Sequence, residues 1–132
     1  MLTDGPTRDY IPKLIETIVD ESSGGTIIMM EYMNGGSIGD YLHKFRKGIN
    51  MTPQEVTIIT GKIVKALVAF KEMGIAHRDL HNGQILIHYR NLDQVSDVDQ
   101  LRKRVKRKQL LALNNPNDFD VKIADFGRAK QI

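Results

Sequence analysis

Residues 52–74 constrain the fold most, because both ends of the segment carry explicit helix signals. Thr52 is placed to cap a helix, Pro53 suits the first helical position, and Glu55 completes the pattern of a capping box. Val56, Ile59, Ile63, Leu67 and Phe70 recur at spacings of three and four, which predicts one apolar face, and Gly74 supplies the stop. A helix of this kind needs something to pack against. Residues 11–19 and the β-branched run 26–33 predict two strands joined through the turn-rich Glu21-Ser22-Ser23-Gly24-Gly25. Asn34-Gly35-Gly36 breaks the second strand, and Ser37 is a cap for a short helix ending at Gly48. After the long helix come short strands at 85–88 and 121–124. Strands followed by mainly helical structure predict an α+β fold.

The chain has 132 residues, enough for one modest core, so it is read as one unit without internal repeats. Between the two late strands, residues 89–120 form an insertion with an expected helix at about 97–113, closed by Asn114-Asn115-Pro116-Asn117-Asp118. Hydrophobic residues are 41% and charged residues 27%, a globular composition. There is no cysteine, which excludes disulfides, thiolate metal ligands and a Cys nucleophile. Asp4, Arg8 and Asp9 stand where a signal peptide needs apolar residues, and no apolar run approaches membrane-spanning length. The expectation is a cytoplasmic or nuclear protein without a membrane partner.

Two motifs carry chemistry: His77-Arg78-Asp79-Leu80-His81-Asn82-Gly83-Gln84-Ile85-Leu86, and Asp125-Phe126-Gly127. With them the chain resembles the eukaryotic-type protein kinase family, whose pattern is His-Arg-Asp-Leu, three variable residues and Asn, with Asp-Phe-Gly following. Gln84 departs from that pattern, standing where the family has Asn. The resemblance implies a kinase-like partial domain: the end of the small lobe, the hinge and the first part of the mainly helical large lobe. It also implies ATP and Mg2+ as cofactors and phosphoryl transfer to protein hydroxyls, a reaction that needs a group to orient the hydroxyl and metal to neutralise phosphate charge.

Carried over residue by residue, the resemblance makes Asp79 the catalytic base, with His77 and Arg78 in its loop, and Asp125 a magnesium ligand. Gln84 takes the position of the second metal ligand, with one methylene more than Asn. Met29-Met30-Glu31-Tyr32-Met33-Asn34-Gly35-Gly36-Ser37 resembles the hinge, with Met30 as gatekeeper, the backbone of Glu31 and Met33 facing adenine, and Leu86 beneath the ring. Ser37 falls where relatives place an acidic group on the ribose. His81 takes the place of the Lys that serine/threonine kinases use on the transferring phosphate, while Asp-Phe-Gly-Arg-Ala-Lys leans to serine/threonine over tyrosine kinases.

The family's Gly-rich loop, its Val-Ala-Ile-Lys strand and its Ala-Pro-Glu motif are not among these 132 residues. The expectation is therefore a domain incomplete and inactive as this isolated chain. The alternative is a non-catalytic kinase-like module, a pseudokinase or remnant, that docks on a partner kinase. The basic run 102–108 hints at nucleic acid, but a solvated helix face is the preferred reading over a nucleic-acid partner. His43 and His88 have no companions at metal-ligand spacing and are read as surface or edge residues.

Overall fold

The computed structural model describes residues 9–47, 49–90, 112–124 and 130–131. Strands β1 (Leu14–Val19) and β2 (Thr26–Met30) form an antiparallel hairpin. Asp20 organises its turn: the carboxylate accepts from Ser22 N and from the Ser22 and Ser23 hydroxyls, while Gly24 takes φ +71°, a value that L side chains avoid. Both faces of the hairpin are solvated, and Ile15, Ile27 and Ile28 are each more than half exposed.

The predicted helix after Ser37 is shorter than expected. Helix α1 (Ile38–Asp40) begins with a true capping box, in which Ser37 Oγ accepts from Asp40 N and Asp40 Oδ2 accepts from Ser37 N. It then widens into a π turn, Tyr41–Phe45, whose Arg46 N–H reaches back to Tyr41 O.

Helix α2 (Pro53–Glu72) has Thr52 as N-cap and Pro53 in the first turn, as the sequence predicts. Two expectations about it are corrected. Thr52 Oγ1 accepts from Glu55 N, but the Glu55 carboxylate turns inward to Tyr41 and Arg46. The buried face is also rotated: Glu55, Ile59, Ala66, Ala69 and Phe70 are inside, whereas Val56 and Leu67 lie at the surface beside Val64 and Val68. Small alanines permit the close approach that larger side chains would prevent.

What α2 packs on is the antiparallel ribbon of β4 (Ile85–Tyr89) and β5 (Phe119–Ile123), preceded by the 3-10 turn Asn82–Gln84. Alternation is clean: Ile85, Ile87, Tyr89, Phe119, Val121 and Ile123 are buried, and Leu86, His88, Asp120 and Lys122 lie on the other face. Ile38, Tyr41, Ile59 and Leu113 complete the main cluster, while Ile11, Ala66, Phe70 and Ile123 form a second. Strand β3 (Ile75–Ala76) pairs with β6 (Lys130–Gln131).

The connection from β4 to β5 is fastened where it re-enters the fold. Tyr41 Oη accepts from Leu113 N, Gln54 Nε2 donates to Asn114 O, and Lys62 Nζ donates to Pro116 O and Phe119 O while lying 4.7 Å from the Phe119 ring centre. The expected helix at 97–113 and the run 102–108 fall almost wholly on residues 91–111, outside the described residues. Among the described residues, no helix is long and apolar enough to cross a membrane.

Candidate active site

One end of the β4–β5 ribbon holds the candidate catalytic loop, residues 77–84. His77 is buried, and its Nε2 lies 2.9 Å from Ala124 O while Nδ1 lies 3.3 Å from Asp79 N. Asp79 N is a donor, so Nδ1 must accept and Nε2 must carry the hydrogen that it donates to Ala124 O. These two contacts specify one neutral tautomer and tie the loop to the end of β5. Arg78 adopts φ +72°, in the left-handed region that residues other than glycine seldom enter. Asp79 is half-buried and Arg78 exposed.

Gln84 is 4% exposed, and its backbone oxygen accepts from Ala124 N at 2.9 Å. Ala124 therefore bonds both His77 and Gln84, and it immediately precedes Asp125 in the chain. Asp125 itself lies outside the described residues. His81 is exposed and caps the 3-10 turn, its Nδ1 accepting from Gly83 N at 3.1 Å. The imidazole packs directly over Gly83, whose absent Cβ would stand 3.0 Å from its Cε1.

The candidate hinge runs along β4, from Tyr89 to Leu86. Residues 34–37 lie along β4: Asn34 forks onto the Tyr89 backbone (Nδ2 to Tyr89 O 2.9 Å, Tyr89 N to Oδ1 2.7 Å), Gly35 N donates to Ile87 O, and Ile87 N donates to Gly36 O. The run continues as a bridge between Ser37 and Leu86, which brings the ribose-side and adenine-floor candidates together. The Ser37 hydroxyl is engaged as the α1 cap. Met33 is buried and its carbonyl accepts from Gly36 N. Met30, at the end of β2, is half exposed and stands opposite Leu14.

Glu31 joins the parts. Its N–H donates to Lys13 O, its Oε1 accepts from Lys13 N at 2.9 Å, and the same oxygen accepts from Lys122 Nζ on β5. Burial pushes the Glu31 carboxyl up, but the Lys122 and Lys13 hydrogen bonds outweigh it and hold the group below its ordinary value. Asp120 is likewise held low, first by its hydrogen bonds from Arg90, against the upward push of burial.

Both carboxyls are depressed in the folded state, so their stabilisation is complete above the ordinary carboxylate range and is lost as pH falls through the folded values. Urea midpoints are expected to drop between about pH 5 and pH 3, with a smaller drop in Asp120→Asn, whose remaining acid sensitivity reports Glu31 and the other carboxylates. An identical acid profile in that variant would remove Asp120 from the account.

From the sequence, Glu31 is assigned only through its backbone and Asn34 only as a strand breaker, while Lys62 and Lys122 carry no signal. Asn34 carried a turn signal that was legible, but its fork onto Tyr89 spans 55 positions, and no local pattern encodes such a pairing.

Comparison with known proteins agrees with this geometry. The family model described as "Protein kinase domain" matches residues 6–132. The chain is 31% identical over 112 residues to the serine/threonine-protein kinase ULK1 of Homo sapiens, covering 85% of this chain and 9% of that protein. It is 30% identical over 94 residues to the serine/threonine-protein kinase PksC of Streptomyces coelicolor, covering 69% of this chain and 17% of the relative. A probable serine/threonine-protein kinase of Dictyostelium discoideum is 30% identical over 78 residues, covering 58% of this chain and 19% of that protein. The chain thus spans less than a fifth of each of these relatives. With residues 77–84 tied to the end of β5 and residues 34–37 laid along β4, this α+β segment belongs to the protein kinase domain family.

Proposed function

We propose that this segment serves ATP-dependent phosphoryl transfer to protein hydroxyls, serine or threonine before tyrosine, with Asp79 as the base that orients the hydroxyl and accepts its proton. The observation that carries the reading is the pair of hydrogen bonds that join Ala124 to His77 and Gln84 and hold the Asp79 loop beside the residue preceding Asp125. His77 and Arg78 act through Asp79, one by anchoring its loop and the other through the left-handed backbone that leads into it. The serine/threonine preference is supported by the names of the relatives.

Nucleotide recognition follows from which hinge groups are already bonded. Glu31 N–H is taken by Lys13 O, so its contribution to adenine is the carbonyl; the Met33 carbonyl is taken by Gly36 N, so its contribution is the N–H. That gives the acceptor and donor pair an adenine edge requires, with Leu86 beneath the ring, Ser37 near the ribose and Met30 behind it. His81 stands at the phosphate side of the loop. Gln84 and Asp125 offer an amide and a carboxylate oxygen, hard donors that suit magnesium, and Gln84 is already buried beside the chain entering Asp125. The metal, when bound, neutralises charge on the phosphate oxygens.

One observation favours a second, non-catalytic reading as a kinase-like module docking on a partner kinase: the second-ligand position holds a buried Gln in place of Asn. As these 132 residues alone, the chain is proposed to bind nucleotide weakly and to turn over little, because the family's phosphate-binding lysine is not among them.

Calorimetry with ATP and magnesium, run beside a radiolabelled transfer assay, tests both readings. Affinity is expected to fall about ten-fold in Asp125→Ala and less in Gln84→Ala, with transfer near background. Equal affinity in wild type and Asp125→Ala would remove the metal role. Turnover abolished by Asp79→Asn would favour the catalytic reading over the docking one.

A further inference from the structure

We propose that Glu31 and Lys122 are a positioning pair for nucleotide binding, a charged clasp that holds the hinge against β5 before nucleotide arrives. The proposal rests on the nucleotide-binding reading above and adds two side chains to it. Glu31 is the first residue after β2, and among the described residues the β1–β2 hairpin that precedes it is solvated on both faces, so within them little apolar packing orients the hinge from that side. What orients it is polar. The Glu31 carboxylate takes Lys13 N and Lys122 Nζ on one oxygen, joining three segments at one atom.

Position makes the clasp relevant to the nucleotide. Lys122 is the direct cross-strand partner of Leu86, and Leu86 bridges to Ser37. The pair therefore closes a ring: hinge, β5, β4, and the chain returning through residues 34–37 to the hinge. Asn34 and Gly35 secure the far side of that ring with backbone bonds. The Glu31 carboxylate secures the near side. Side-chain exposures of 31% and 17% mean that water screens the pair only partly. A hinge ordered in advance gives up less freedom when adenine binds to it, and that difference appears as affinity.

The test is ADP binding by calorimetry in magnesium chloride, with urea midpoints measured on the same proteins. Lys122→Met and Glu31→Gln are each expected to weaken ADP about five-fold, and the double variant also about five-fold, because the second change removes a partner already lost. Lys122→Arg keeps the charge and is expected within about two-fold of wild type. Unchanged affinity with a lowered urea midpoint would make the pair a structural joint and overturn the proposal. Additive losses in the double variant would overturn it too, since the two residues would then act separately. If wild type shows no ADP binding, the nucleotide reading itself fails and the positioning role with it. If wild type binds and the variants match it, only the clasp fails.

Discussion

Gly35→Ala is expected to destabilise the chain by about 2–3 kcal/mol, while Gly61→Ala on the same protein stabilises it by up to about 1 kcal/mol. The opposite signs come from what a methyl group meets. At Gly35 a Cβ would stand 2.7 Å from Tyr89 Cε2, 2.8 Å from the Ile87 backbone oxygen and 2.9 Å from Ile87 Cγ2. Tyr89 and Ile87 are both core residues, so neither can move without opening the main cluster. The backbone oxygen is worse, because it accepts the Gly35 N–H, and relieving the clash would break that rung. At Gly61, inside α2, a Cβ meets nothing within 4 Å, and alanine is the better helix former. Urea unfolding of the two variants measures both numbers. A neutral Gly35→Ala would mean that the hinge does not lie against β4 as described.

Glu55→Ala is expected to cost about 3 kcal/mol, far more than loss of an ordinary first-turn glutamate. Glu55 is 2% exposed and accepts from Tyr41 Oη at 2.9 Å, with Arg46 Nη1 3.7 Å from its other oxygen. Tyr41 Oη in turn accepts from Leu113 N, so this carboxylate links the π turn, α2 and the returning end of the β4–β5 connection. Removing it leaves a buried hydroxyl donor without this acceptor and a guanidinium without this counter-charge. Burial raises the Tyr41 hydroxyl pKa first, and the hydrogen bond to Glu55 adds to it, so the phenol stays protonated and donating through neutral pH. Glu55→Gln keeps the shape and an acceptor and is expected to lose only about 1 kcal/mol. Adding Tyr41→Phe to Glu55→Ala is expected to cost less than Tyr41→Phe does in the wild type. A loss below about 1 kcal/mol for Glu55→Ala would show that the link is not what holds these segments.

In both cases local reading gives the residue a short-range role and misses its tertiary contacts, and the reason is the same. Glu55 sits three positions after Thr52, the spacing of a capping box, and a short-range rule sends its carboxylate back to the cap. Tyr41 and Arg46, brought alongside by the π turn, offer a buried donor and a cation, and the tertiary contact wins. The five-residue apolar stripe predicted for α2 placed Ile59, Ile63 and Phe70 toward the interior but also claimed Val56 and Leu67, which are at the surface. Ala66 and Ala69 are buried because β5 and the segment around Tyr10 and Ile11 approach there, and hydrophobicity alone does not rank an alanine above a leucine.

Local sequence sets what depends on near neighbours: the hairpin and its turn at Glu21 to Gly25, the Thr52 and Pro53 start of α2, the two late strands, and the motif residues that imply kinase chemistry. Caps, glycine turns and alternation act over a few residues, so they are written where they operate. Packing of the whole chain sets which side chains those elements bring together. It set His77 in one tautomer between Asp79 and Ala124, made Gly35 a position that no side chain can share with Ile87 and Tyr89, and turned Glu31 from a backbone contributor into the meeting point of Lys13 and Lys122. The Glu31 contact to Lys122 crosses 91 positions of chain, and burial and pairing at that range are properties of the assembled core rather than of any window of sequence.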